Sequence, residues 1–93
     1  MENVSRAIVT VMGRDRKGII ARVSDVVYRH NVNILDIAQT VMDGYFNMTM
    51  LVDITAPDCR FSELSDDLNR LGEELGVQIR AQKTEIFDAM YRV

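Results

Sequence analysis

The stretch Val11-Met12-Gly13-Arg14-Asp15-Arg16-Lys17-Gly18-Ile19-Ile20-Ala21-Arg22-Val23 joins two different periodicities. Just before and into it, Ala7 to Met12 is β-rich and alternating. Val9 and Val11 fall on one face and Ile8 and Thr10 on the other, which predicts a short strand ending at Gly13. Beyond it, Ile19, Val23, Val26 and Val27 recur at helical spacing, flanked by Ile20 and His30, with Arg22, Asp25 and Arg29 on the opposite side. The charged residues between Gly13 and Gly18 form the connection. A strand that turns through such a loop into an amphipathic helix opens an α/β unit, and the remaining sequence decides which one.

Working outward, Asn31 and Asn33 bracket the helix exit, since asparagine tolerates the left-handed backbone common there. Ile34 to Met42 predicts a second strand of imperfect alternation. Asp43-Gly44 follows between two β-rich runs, the strongest hairpin signal in the chain. In the third strand Phe46, Met48, Met50, Val52 and Ile54 share one face. Asn47, Thr49 and Asp53 share the other, with Leu51 as its apolar exception. After the Thr55-Ala56-Pro57-Asp58 loop, Phe61, Leu64, Leu68, Leu71 and Leu75 mark a second amphipathic helix, and Gly76 is placed as its C-cap. Val77, Ile79 and Ala81 alternate with Gln78, Arg80 and Gln82 in a fourth strand.

The order is βαββαβ. Right-handed crossovers fold it into an α+β ferredoxin-like sandwich, a four-stranded antiparallel sheet with two helices on one face and the other face open. Residues 1–93 suffice for one domain, with an apolar C-terminal tail over 85–93 in which Ile86, Met90 and Val93 share a helical stripe suited to docking on the body or a partner. A small domain with an uncovered sheet face and two free sheet edges has reason to form a homodimer or higher symmetric oligomer.

The Val11–Val23 stretch resembles the signature of ACT domains, in which a first strand runs into a loop reading approximately Gly-x-Asp-Arg-Pro-Gly and then into an apolar helix. Asn31-Val32-Asn33-Ile34-Leu35-Asp36-Ile37 is similar to that family's entry to its second strand. Ile86-Phe87-Asp88-Ala89-Met90-Tyr91-Arg92-Val93 resembles the ending of small bacterial and archaeal proteins made of one ACT domain alone. The resemblance implies a non-catalytic regulatory module that dimerises and binds a small ligand, such as an amino acid, between paired subunits. It places Gly13, Asp15, Gly18 and Ile19, with Asn33 and Ile34, at the ligand site. Lys17 departs from the pattern, standing where proline is common, so the loop is less rigid than the family's.

The chemistry of the loop accords with that site. Gly13 permits an unusual turn after the strand, and Gly18 lets a ligand or a second chain approach the backbone. The first turn of the helix offers unpaired N–H groups to a carboxylate. Asp15 is placed to cap that helix or to receive a ligand ammonium. The same residues also suit a plain structural connection with solvated charges, which leaves a protein–protein assembly module without a small-molecule ligand as the alternative.

Other classes fit less well. A net charge of −3 opposes a broad nucleic-acid footprint. An RNA-recognition motif needs stacking aromatics on the open face, and there the third strand offers Tyr45 alone and the first strand none. Asp15 puts a negative charge where an acylphosphatase-like hydrolase needs an anion cradle. No Cys-x-x-Cys pair is present for a soft-metal carrier, and no Ser-His-Asp or Cys-His constellation is visible. The expected chain has no catalytic residues, metal or cofactor. His30 and Cys59 are read as structural or surface residues, and Met48 and Met50 as core filling. One cysteine, no signal-peptide pattern at the first residues and no apolar run of membrane-spanning length make the expected location cytoplasmic.

Overall fold

The computed structural model describes residues 5–15 and 17–85. The tail over 86–93 therefore lies outside the described residues, as does Arg16. The elements are β1 (Arg6–Arg14), α1 (Ile19–Arg29), β2 (Asn33–Met42), β3 (Tyr45–Asp53), α2 (Phe61–Leu75) and β4 (Gln78–Lys83). They form one antiparallel sheet in the order β2-β3-β1-β4. This is the ferredoxin-like βαββαβ arrangement.

Alternation fixes the core. Val9 and Val11 of β1, Met48, Met50 and Val52 of β3 and Ile79 of β4 all point to the helix side and are buried. Ile19, Val23 and Val27 of α1 and Leu64, Leu68, Leu71 and Leu75 of α2 meet them there. The helices contact one another, yet they cover the sheet unevenly: α2 packs on β4, whereas α1 makes little contact with β2. Every residue of β2 is therefore exposed. No helix among the described residues is long and apolar enough to cross a membrane.

Three details refine the sequence reading. β1 does not stop at Gly13; Gly13 and Arg14 still pair with Phe46 and Tyr45, because the long β3 continues to offer partners. Asn31 takes the left-handed exit from α1 (φ 56), whereas Asn33 is already the first residue of β2. The imperfect alternation of β2 has a cause, a register irregularity between Ile34 and Asp36 that leaves Leu35 as an extra residue.

Candidate functional site

The Gly13–Gly18 loop leaves the sheet at the hairpin end. Asp43 and Gly44 both have positive φ (52 and 82), as the tight two-residue turn between β2 and β3 requires. Asp15 N–H donates to the carbonyl of Gly44 at 2.9 Å, which ties the loop to that turn. The Arg14 guanidinium lies over the Tyr45 ring, 5.7 Å from its centroid.

Gly18 is the N-cap of α1, left-handed at φ 84 and ψ 4, and its carbonyl accepts the first helical hydrogen bond from Arg22 N–H at 2.9 Å. No side chain caps this end, and α1 has no acidic residue in its first turn. Asp15 thus does not serve as the cap; its backbone is drawn to the hairpin instead. The first-turn N–H groups are left with their partial positive charge and no side-chain acceptor. Space above Gly18 is open, with nothing within 4 Å of a Cβ built there. Ile19 is 2% exposed, so it can offer only its backbone to a ligand.

Asn33 and Ile34 lie elsewhere. Gly13 pairs with Phe46, whereas Asn33 pairs with Asp53. Those partners are seven positions apart along β3, about 24 Å at strand rise. Within one chain the six site residues form two clusters at opposite ends of the sheet. On the helix side of β2, Ile34, Ile37 and Val41 are 40%, 43% and 55% exposed, an apolar row left largely uncovered among the described residues.

The sequence pattern of the ACT domain matches residues 5–82 of the chain. The chain belongs to the ACT domain family. It is 50% identical over 90 residues to a UPF0237 protein of Bifidobacterium longum, an alignment spanning 97% of this chain and 100% of that one. A UPF0237 protein of Methanocaldococcus jannaschii is 49% identical, with the same coverage. Among solved structures, an ACT domain protein from Streptococcus pneumoniae is 40% identical with a TM-score of 0.81, covering 96% of this chain and 100% of its own.

This ACT domain also holds a feature that reading the sequence missed. An open groove of about 1320 Å³ lies where β1 runs on past the start of β4. Gly13, Gly72 and Gly76 line it with Phe46 and Val77. A Cβ at Gly13 would stand 2.7 Å from Val77 Cγ1, and one at Gly72 would stand 2.8 Å from the Val77 carbonyl oxygen. The signal in the sequence was Gly72, a glycine inside an otherwise regular helix, which marks close approach of another backbone.

The remaining candidates have structural roles. His30 Nε2 lies 2.7 Å from Asp67 Oδ2 and so fastens the end of α1 to α2. Arg22 and Glu74 form a second bridge between the same helices. Cys59 packs half-buried against the core, and burial, with Asp58 adding to it, raises its thiol pKa. No group of three or more His, Cys, Asp or Glu among the described residues is placed to hold a metal ion.

Proposed function

We propose that this ACT domain is a non-catalytic regulatory module that pairs with a second copy through β2 and binds an amino acid at the junction. The observation that carries the reading is the complete exposure of β2, an edge strand with an apolar row and an unused ladder of backbone groups. Antiparallel self-pairing of Asp36–Met42 about a two-fold axis at Gln39 sets Ile37 opposite the second copy's Val41. It also carries the second copy's Asn33 and Ile34 to the Asp43–Gly44 turn, the turn that holds Asp15. The two separated clusters then meet in trans. A ligand carboxylate is received by the uncapped start of α1, and its ammonium by Asp15 or a carbonyl near the second copy's Asn33.

Thermal unfolding of the purified protein against the twenty amino acids and common nucleotides tests this. At one hundred times its dissociation constant a ligand adds about 2.7 kcal/mol, a clear rise in Tm for a chain of this size. One amino acid or a small related set is expected to stabilise the protein. A chain that pairs yet gains stability from none of them is an assembly module, and the ligand half of the proposal falls.

A further inference from the structure

Both helices pack on one face of the sheet, against Val9, Val11, Met48 and Met50. The residues that alternate with these in β1 and β3 point to the other face. There Ile8 pairs with Leu51, Thr10 with Thr49 and Met12 with Asn47. Ile8 and Leu51 lie side by side and half-buried, and Met12, at the far end of the same strip, is 53% exposed. Arg80 borders the strip from β4, opposite Thr10, and has no ion-pair partner among the described residues.

The described chain ends beside this strip. Lys83 closes β4 opposite Ala7, and residues 84 and 85 turn out of the strand as helix. Thr84 Oγ1 donates to the carbonyl of Arg6 at 3.3 Å, which holds the chain at the start of β1. Ile8 stands two residues further along β1, about 7 Å at strand rise. Eight residues, 86–93, follow. Eight residues cover about 12 Å as a helix and about 27 Å when extended, so the Ile8–Leu51 pair is within their reach in either form.

Their chemistry matches what they reach. Ile86, Phe87, Met90, Tyr91 and Val93 are large and apolar, and a segment of that composition is stabilised by leaving water for an apolar surface. On the helix side, this end of the sheet is already taken. Phe61 packs against the core there, and the Lys83 ammonium lies over its ring, 5.4 Å from the centroid. The open face has the apolar pair, and its Arg80 suits the one acid of the segment, Asp88. We infer that residues 86–93 dock in cis on the open face of their own sheet, over Ile8 and Leu51. The open face is then closed to a second copy or another protein, while the β2 edge stays free. The inference goes beyond the β2 pairing proposed above and does not depend on it.

The test is methyl NOE spectroscopy on the full-length protein labelled at its Ile, Leu, Val and Met methyls. Cross-peaks joining the methyls of Ile8 or Leu51 to those of Ile86, Met90 or Val93 are expected. They should persist in Ile37→Asp, which is aimed at the β2 pairing alone. A sample of mixed labelled and unlabelled chains, filtered for contacts between copies, should contain none of them. Absence of the cross-peaks from the first spectrum overturns the inference. Their appearance in the filtered spectrum overturns it too, because a second copy then supplies the segment. If Ile37→Asp leaves association unchanged while the contacts remain within one chain, the β2 pairing falls and the docking stands.

Discussion

Gly13 and Gly18 bound the same loop and resist substitution for opposite reasons. At Gly13 the obstacle is space, because a Cβ would meet Val77 at 2.7 Å. Gly13→Ala should therefore cost about 1–3 kcal/mol in urea unfolding, the range for overpacking. At Gly18 the space is free and the obstacle is the backbone, at φ 84. Gly18→Ala should cost about 1–2 kcal/mol from the left-handed conformation alone, and Gly18→Asn less. An alanine at Gly18 that leaves stability unchanged would contradict this account. Asp53 makes a residue-scale prediction for pH. The Thr55 side chain, and then the Thr55 backbone N–H at 2.8 Å, hold its carboxyl below the ordinary range. A lowered folded-state pKa contributes stability above the unfolded value, and that contribution is lost as pH falls through the folded one. Thr55→Val, which keeps only the backbone donor, should raise the Asp53 pKa toward its ordinary value in a carboxyl NMR titration.

At the scale of elements, β2 differs from the other strands. Its side chains are exposed on both faces, so Ile37→Asp should change the unfolding free energy by no more than about 0.5 kcal/mol. The same substitution should weaken self-association, read as a shift toward the 10.6 kDa monomer in sedimentation equilibrium. If the variant instead unfolds, β2 is part of the core after all. The other elements were legible in the sequence because each repeats its signal several times. Five leucine or phenylalanine positions spell α2, and the Asp43–Gly44 dipeptide spells the hairpin with its two positive φ angles. The site was half legible. Local chemistry located the loop and its glycines, but the roughly 24 Å between Gly13 and Asn33 depends on strand pairing, which no local pattern encodes. The groove was hidden for a related reason. Its lining joins Gly13, at the end of β1, to Gly72 and Gly76, at the end of α2, and these come together only when β1 meets Val77 in the turn into β4.

For the whole molecule, the regulatory reading predicts no turnover. Purified protein should hydrolyse neither acyl phosphates nor phosphate esters; activity that survives purification and disappears on mutating Arg14 would overturn it. Asp15, which sets a negative charge in the first loop against an incoming phosphate, is the physical ground. The irregularity at Leu35 has a further consequence at this scale. An unbroken edge strand accepts an incoming strand in many registers, and each added strand exposes a fresh edge, the route to fibrils. The extra residue at Leu35 interrupts the ladder of β2 after Ile34, which leaves Asp36–Met42 as the regular run. A run of seven with Ile37 and Val41 placed symmetrically about Gln39 favours one partner in one register, a copy of itself turned by half a rotation. Once that copy is seated both edges are consumed together, and growth at this face ends with the pair. Deleting Leu35 would straighten the edge, and the proposed closed pair should give way to open-ended growth, read as high-mass species in sedimentation.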